Sequence, residues 1–254
     1  MKVKQYLVNG WVSPITEGWH LQIPPTREAV YADAQLDDYV HPPNASFEHS
    51  PPVKLALEAR FSHQRMTGTS GFGFWNHPFG DRGDIREPPC SVWYFNASSE
   101  SDMRTRRDTV GWGFKAATLD SGQWLAHFPQ GVLRAANLIG KVLLRMRPVA
   151  RIFMAGTQTM VRASETLLTD GLHSEGPVSI TNWHRYEIDW QRTHADFFVD
   201  GQLVLHAPSP PLGPLGFVAW VDNYRAVAAN GRYEFGYLAS DHDQWLEIRG
   251  LKIE

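Results

Sequence analysis

Little in this sequence ties it to an oxidising compartment, a membrane or a nucleic acid. One cysteine, Cys90, stands among 254 residues, so no disulfide can form within the chain and packing has to stabilise the fold. No run of about 18 apolar residues is present to cross a bilayer. The first residues, MKVKQYLVNGWVSP, lack the apolar stretch and the cleavage site of a signal peptide, which predicts a cytoplasmic protein. The net charge of −3 gives no general attraction to nucleic acid, so no nucleic-acid partner is expected.

Aromatic residues and alternating apolar runs are plentiful, and they predict an all-β protein. The chain has ten tryptophans and thirteen phenylalanines, which bury large apolar areas. In residues 53–61, VKLALEARF, apolar side chains occupy every second position, which is the period of a half-buried strand. A hairpin is predicted around Gln191–His194, and the Asp-Gly pair at Val199–Gln202 predicts a second tight turn. Many short strands separated by Pro and Gly are typical of a sandwich or jelly roll.

One segment departs from the strand pattern. Residues 121–164 contain no Asp or Glu, and apolar side chains at helical spacing predict an amphipathic basic helix at 131–147, which Pro148 ends. Three interpretations of this helix stay open. It packs on the sandwich as plain structure, it covers the ligand-binding face as an apolar lid, or it lies on an anionic membrane surface or binds a partner.

The chain shows no linker, so residues 1–254 are predicted to form a single domain. Residues 1–50 are rich in Pro, Asp and Tyr and have weak periodicity. We therefore expect this N-terminal segment to be irregular, with short strands.

Three stretches resemble the concanavalin A-like lectin/glucanase superfamily, and within it the laminarinase and lichenase family of glycoside hydrolases. They are LALEARF followed by GTSGFGFWN, then NWHRYEIDWQRTHADFFVDGQLV, and finally WLEIRGLKIE at the end of the chain. Together they cover roughly half of the sequence. The resemblance implies a jelly-roll sandwich of two curved antiparallel sheets, one of them concave and able to hold an extended ligand.

The catalytic strand of that family is not matched. In the family, a strand with the pattern Glu-x-Asp-x-Glu follows the glycine-rich stretch, and here that place is taken by residues 88–97, PPCSVWYFNA, which carry no carboxylate. Retaining hydrolysis of glycosides needs two carboxyl groups about 5 Å apart. The family's catalytic residues therefore carry over to no position, and we expect the concave face to lack the acidic pair. Glu187 and Asp189 lie in the WHRYEIDW strand and are interpreted as part of its solvated face, with an acid/base pair as the alternative.

The same superfamily contains polysaccharide lyases with an Arg-x-Glu-x-Arg strand. Residues 56–60, ALEAR, keep the last Glu and Arg of that pattern but have Ala at its first Arg. Two alternatives stay open for Glu58 and Arg60. They line the concave sheet as ligand-binding residues, or they form cross-strand pairs.

Two stretches combine an aromatic platform with polar groups, the mixture that a binding site needs. They are residues 75–79, WNHPF, and residues 220–225, WVDNYR. Among them, His77 can act as a general base near neutral pH, and Asp222 can orient it or bind a hydroxyl. The predicted catalytic residues are His77, Asp222 and Tyr224. The predicted ligand-binding residues are Trp75, Asn76, Trp93, Tyr94, Asn96, Trp220, Asn223, Arg225, Glu58 and Arg60.

No metal site or cofactor is predicted. Asp241-His242-Asp243 invites a metal interpretation, but three adjacent residues are more typical of a polar turn than of a set of converging ligands. The functional hypothesis is a protein that binds a saccharide or a partly apolar small molecule on the concave face. The alternative is an enzyme that acts on a small, partly lipophilic or glycosidic substrate by general acid/base chemistry in the same cleft.

Overall fold

The structure, a computed structural model, describes residues 2–41, 45–78, 89–104, 111–120, 162–169, 178–229 and 232–254. Within these ranges every regular element is a strand, and there are sixteen. The helix predicted at 131–147 lies outside the described residues. No helix among the described residues has the length and apolar character needed to cross a membrane.

Two seven-stranded antiparallel sheets make up most of the described structure. Sheet A has the order β1 (Lys4–Val8), β4 (Asp33–Asp37), β13 (Gly216–Asp222), β6 (Thr69–Trp75), β7 (Cys90–Ala97), β8 (Gly113–Asp120) and β9 (Arg162–Thr169). Sheet B has the order β12 (Gln202–Pro208), β11 (His194–Val199), β10 (His184–Trp190), β5 (Val53–Phe61), β16 (Gln244–Ile253), β3 (Gly18–Ile23) and β2 (Trp11–Ile15). A separate hairpin joins β14 (Tyr224–Ala229) to β15 (Arg232–Tyr237).

The core lies between the two sheets. Every second residue of β5, from Val53 to Phe61, is buried, as the alternation in the sequence predicted. The hydroxyl of Tyr94, on β7 of sheet A, donates to the backbone oxygens of Glu187 and Phe198 in sheet B, at 3.1 and 2.8 Å. These bonds connect the two layers directly, because each sheet contributes one partner.

The predicted hairpins of sheet B are confirmed. Strands β10 and β11 pair on either side of the Gln191–His194 turn. Asp200 and Gly201 both have positive φ values, 50° and 77°, as a tight hairpin turn with the right-handed twist of its strands requires. The inner face of β10 carries Tyr186, Ile188 and Trp190, all buried.

Residues 1–50, expected to be irregular with short strands, contain more regular structure than their weak periodicity indicates. Four strands, β1 to β4, lie there, and they extend both sheets. All five residues of β4 are buried, although Asp33, Gln35 and Asp37 are polar. Its sequence, DAQLD, gives no strong apolar signal, because polar side chains occupy the buried positions on its outer face.

Replacement of Tyr94 by Phe tests its structural role. We expect the free energy of unfolding to fall by about 1–2 kcal/mol, because the two carbonyl oxygens lose a donor that joins the sheets. Urea denaturation measures this change, with Tyr237→Phe, in the β14–β15 hairpin, as the control. Unchanged stability in Tyr94→Phe would show that the two hydrogen bonds contribute nothing.

Candidate functional site

An aromatic cluster covers the outer face of sheet A, the face turned away from sheet B. Phe72 and Phe74 of β6 point into the core, so Gly71, Gly73 and Trp75 of that strand lie on the outer face. Cross-strand register places the other members beside these positions. The aromatic platform, as we name it, consists of Trp75, Trp93, Phe95 and Trp220.

Two glycines leave room on the outer face of β6 beside the platform. Gly71 sits between Trp220 and Phe95, and Gly73 sits between Val218 and Trp93. A Cβ atom added at Gly71 would come within 3.1 Å of the Trp220 ring, and one at Gly73 within 2.6 Å of the Trp93 Cβ. Both added atoms would also meet the backbone of β7, so a side chain at either position would disturb the pairing of β6 with β7.

The platform rings contact one another closely. The rings of Trp75 and Trp220 are parallel within 4°, with centroids 6.1 Å apart. Trp93 lies 5.3 Å from Trp220 and 4.9 Å from Phe95. Trp220 and Phe95 are buried, whereas Trp75 and Trp93 are partly exposed. The last two rings are therefore the ones that a ligand can reach.

A hydrogen-bond network around Tyr39 borders the platform at Trp75. The Trp75 indole nitrogen donates to the Tyr39 hydroxyl at 2.8 Å, and the Gln35 amide nitrogen donates to it at 3.2 Å. His77 Nδ1 lies 3.0 Å from the same hydroxyl. Because the indole and the amide can only donate, the Tyr39 proton points to His77. That ring nitrogen is therefore an acceptor, which assigns the proton of a neutral His77 to Nε2.

Tyr39 stays protonated because it is buried. His77, its hydrogen-bond partner, has an unusual backbone conformation. Burial, followed by the charge of Asp37, raises the pKa of Tyr39 well above its ordinary value. His77 has a φ of 43°, in the left-handed region that few residues other than glycine adopt. Such a conformation is held by its surroundings and is frequent at ligand sites.

Asp37 and His41 lie beside this network. Asp37 is fully buried, and its Oδ2 accepts from Gln35 at 2.9 Å and from His41 Nε2 at 2.7 Å. Its Oδ1 has no hydrogen-bond partner. The His41 ring lies between those of Tyr6 and Tyr39, with centroid distances of 5.0 and 5.1 Å.

Two buried carboxyl groups face each other at the other end of the platform. Asp33 of β4 and Asp222 of β13 are direct cross-strand partners, 3% and 7% exposed. Asp222 Oδ1 accepts from the Thr69 backbone nitrogen, the Thr69 hydroxyl and the Tyr224 backbone nitrogen, at 3.1, 2.8 and 3.0 Å. Asp33 Oδ1 has no partner. Burial raises the pKa of Asp33 well above its ordinary value, and the neighbouring Asp222 charge raises it further.

The pKa of Asp222 is also raised, but hydrogen bonds to its carboxylate stabilise the charged form. Burial raises its pKa to about 6, while hydrogen bonds from Tyr224 and Thr69 oppose the rise. The pair therefore titrates as a unit, with the proton favouring Asp33 because that carboxyl has fewer donors.

Acidic groups lie on the outer face of sheet A, but away from strand β7. Strand β7, where the resembling family has its catalytic residues, carries none. Asp33, Asp37 and Asp222 nevertheless lie on the same outer face, on β4 and β13. Strands β4 and β13 lie on the far side of β6 from β7, so these carboxyl groups do not occupy the positions of the family's catalytic strand.

The structure brings part of the predicted site together. Trp75, Trp93 and Trp220 form the platform, and His77 contacts its edge through Trp75, with ring centroids 5.0 Å apart. Asp222 pairs with Thr69, six residues before Trp75 on β6. At about 3.3 Å per residue, the two ends of the platform are roughly 20 Å apart. Asp222 therefore cannot orient His77.

Other predicted ligand-binding residues serve the fold. Tyr94 and Asn96 face the core side of β7, and both are buried. Asn223 accepts from the Ala32 backbone nitrogen and donates to the Val30 and Leu238 oxygens, and Asn76 accepts from the Cys90 backbone nitrogen. These contacts hold loops and strand ends in place.

Tyr224 and Arg225 lie beyond the Asp222 end of the platform. Tyr224 packs in a group of aromatic rings with Tyr31, Phe235 and Tyr237. The Arg225 guanidinium donates to the Glu100 backbone oxygen at 3.0 Å. Both residues are partly exposed, so they border the site without belonging to the platform.

Glu58 and Arg60 lie on the outer face of sheet B, on the opposite side of the sandwich from the platform. Arg249 donates to Glu58 and Arg60 donates to Glu247, each at 2.6 Å. The cross-strand alternative is therefore the one observed. Their predicted role in the same cleft as the platform is wrong, because the core separates the two faces.

Glu187 and Asp189 lie on the same charged face of sheet B. Arg185 pairs with Glu187 at 2.8 Å, and Lys54 pairs with Asp189 at 3.2 Å. Each carboxylate thus has its own cation on a solvated strand face. This arrangement favours the structural interpretation of the WHRYEIDW strand over an acid/base pair.

Sequence reasoning missed the polar residues of β4 and its flanks. Their weak signal was the alternation Asp33-x-Gln35-x-Asp37, followed closely by Tyr39 and His41. Polar residues at every second position share one face of a strand.

In the part of the chain that the structure describes, no group of three or more His, Cys, Asp or Glu side chains is arranged to hold a metal ion.

Comparison with known proteins identifies the fold. No protein-family description matches the chain, and neither does any curated protein. The endo-β-galactosidase from Clostridium perfringens that releases GlcNAcα1-4Gal is 12% identical, with a TM-score of 0.51 over 99% of this chain and 58% of its own. A sialidase is 10% identical (TM-score 0.44, 99% and 17%), and a carbohydrate-binding module, CBM66 from Bacillus subtilis, is 8% identical (TM-score 0.42, 98% and 94%). The chain thus spans less than two thirds of the two enzymes, and the likeness to the endo-β-galactosidase supports the all-β sandwich alone.

The shifted carboxyl group at Asp222 predicts a pH-dependent stability. Its pKa is higher in the folded chain than the ordinary value near 4, so the folded state binds more protons between about pH 4 and pH 6. Stability is therefore expected to fall as the pH rises through this window, by on the order of 2 kcal/mol. In Asp222→Asn, which keeps an acceptor oxygen, the fall should be smaller. Denaturant titrations at each pH measure it, with Asp189→Asn as the control, and parallel profiles for Asp222→Asn and the unaltered protein would contradict the assignment.

Proposed function

We propose that the protein binds a saccharide along the aromatic platform of sheet A. The observation that carries the proposal is the pair of partly exposed indoles, Trp75 and Trp93, whose ring centroids lie 6.1 Å apart on the outer face of sheet A. Flat aromatic rings offer apolar area at little cost in conformational entropy, and the C–H faces of a sugar ring match such a surface. One protein of similar fold is named as an endo-β-galactosidase, which agrees with this ligand class.

Polar groups at the edges of the platform supply the hydrogen bonds that a saccharide needs. His77, His41 and Gln35 lie at the Trp75 end, and the Asp33–Asp222 pair lies at the other. A few fixed polar groups beside an apolar surface determine the orientation of a ligand. A partly apolar small molecule would use the same indoles but would leave most of these polar groups without partners.

Removal of one indole tests the proposal. Trp93→Ala should weaken the binding of soluble oligosaccharides at least tenfold, or about 1.4 kcal/mol, because the stacking surface is lost. A glycan array identifies a ligand, and isothermal titration calorimetry then measures its affinity for each variant. The matched control is Trp183→Ala, which removes a partly exposed indole from the opposite face, where it contacts Arg60 and Arg249. Equal losses in both variants, or none in Trp93→Ala, would contradict the proposed face.

The alternative is an enzyme that uses the same face, and the geometry of His77 favours it. Its Nδ1 accepts from the Tyr39 hydroxyl, so Nε2 of a neutral His77 carries the proton and is a donor toward a ligand oxygen beside the platform. Asp222 and Tyr224, the other residues predicted for proton transfer, are at the far end and would act on a different part of the ligand.

The mass of a bound ligand separates binding from catalysis. If the protein is an enzyme, a saccharide that stabilises it should change mass with time. His77→Asn should then abolish the change while preserving the fold, because Asn tolerates the left-handed backbone that His77 adopts. A ligand recovered unchanged supports binding alone, and full turnover by His77→Asn would exclude His77 as the catalytic residue.

A further inference from the structure

The Asp33–Asp222 pair concentrates negative charge without a compensating cation. The two carboxyl groups are cross-strand partners, and Asp37 lies four residues along β4 on the same face. Within the described residues, the groups that interact with Asp33 and Asp222 are carboxyl, hydroxyl and backbone N–H groups. A buried carboxylate without a positive partner is costly, because the interior solvates charge poorly.

Two buried oxygens on this face also lack hydrogen bonds. They are Oδ1 of Asp33 and Oδ1 of Asp37, on residues that are 3% and 0% exposed. Most buried polar atoms in proteins have a partner, and leaving an acceptor without a donor costs free energy. Each oxygen can accept a hydrogen bond, and a positively charged donor would stabilise the carboxylates most.

We propose that the Asp33–Asp222 pair is the subsite for a positively charged group of the ligand, an ammonium such as that of an amino sugar. The inference rests on the proposed function, since it specifies which saccharides the platform face accepts. The ammonium group donates up to three hydrogen bonds, which matches a place where carboxyl oxygens exceed donors.

The surroundings of the pair suit an ammonium group. The rings of Tyr31, Tyr224 and Tyr237 pack together next to the carboxyl groups, with centroid distances of 5.0 Å for Tyr31–Tyr237 and 6.4 Å for Tyr31–Tyr224. Aromatic rings attract cations through their negative faces. The titratable groups that interact with the pair are Asp37 of β4, Tyr31, and Tyr224 of β14.

A hydrogen-bonded connection joins this subsite to the platform. The Trp220 indole nitrogen donates to the Thr69 hydroxyl at 3.0 Å, and that hydroxyl donates to Asp222 at 2.8 Å. A saccharide stacked on Trp93 and passing Trp220 would thus bring a ring substituent to the acidic end. The platform selects the sugar ring, and the carboxyl pair selects its charge.

Binding of an ammonium group should release a proton. The buried Asp33 and Asp222 carboxyl groups repel each other when both are ionised, so the pair favours holding a proton before the ligand binds. The incoming positive charge takes the place of that proton and favours the ionised pair. The expected sign is tighter binding as the pH rises through the titration of the pair, while the ligand amine stays charged.

Two matched oligosaccharides test the inference. One is an oligomer of β-1,4-linked glucosamine, and the other is the fully N-acetylated oligomer of the same length, which has no charge. Calorimetry at about pH 6.5, in buffers of different ionisation enthalpy, measures affinity and proton release together. We expect at least a tenfold preference for the amine form, with a proton released on binding.

Variants distinguish this inference from the proposed function. Asp33→Asn should remove both the preference for the amine and the proton release, so that the two oligomers bind this variant with equal affinity. Trp93→Ala should weaken both ligands, and Asp189→Asn, a matched loss of one charge on sheet B, should change neither. Circular dichroism and thermal unfolding confirm that each variant is folded, and Asp222→Asn provides a second test if Asp33→Asn does not fold.

Each alternative outcome has a definite meaning. Binding of both oligomers with equal affinity overturns the ammonium subsite but leaves the platform proposal intact. A preference for the amine that persists in both Asp33→Asn and Asp222→Asn also overturns it, because the cation then binds elsewhere. Failure of every oligosaccharide on the array to bind would refute the proposed function itself.

Discussion

The packing of β6 and β7 against sheet B is the constraint on which the remaining features depend. Phe72, Phe74 and Tyr94 occupy the inner positions, and strand alternation then forces the intervening residues outward. On β6 those residues include two glycines, which leave room on the outer face beside the neighbouring indoles. The packing of the inner side chains thus determines which side chains lie on the outer surface of sheet A, because successive residues of a strand point to opposite faces.

The acidic residues on the two outer faces of the sandwich have different kinds of partner. On sheet B, Glu58, Glu187 and Asp189 each have a basic partner, and the side chains are partly exposed. On sheet A, Asp33 and Asp222 are buried next to each other and share hydroxyl and backbone donors. The first arrangement consists of ion pairs on a solvated strand face. The second reduces stability at neutral pH, and such a cost is more typical of sites that bind or react than of sites that only fold.

Strong alternation made part of this structure predictable. Residues 53–61 and the hairpins after residue 183 combine buried apolar positions with solvated polar ones, so their period was clear. Strand β4 was missed because both of its faces are buried and half of its residues are polar. The sequence predicted that one site contains Trp75, Trp93, Trp220 and His77, and these residues do lie together. Tryptophan beside polar residues in a sequence is typical of a surface site as well as of a core.

Local pattern in the chain was enough for the class of fold, the two sheet B hairpins and the identity of the platform tryptophans. The side of the sandwich on which each polar residue lies was decided by tertiary structure, as for Glu58 and Arg60 against Asp222. So was the pairing of Asp33 with Asp222, 189 positions later in the chain. Periodicity describes neighbours within one strand, whereas register between distant strands depends on how all the side chains pack at once. A carboxyl group therefore acquires its partner, its burial and its proton affinity only when the sheets have assembled.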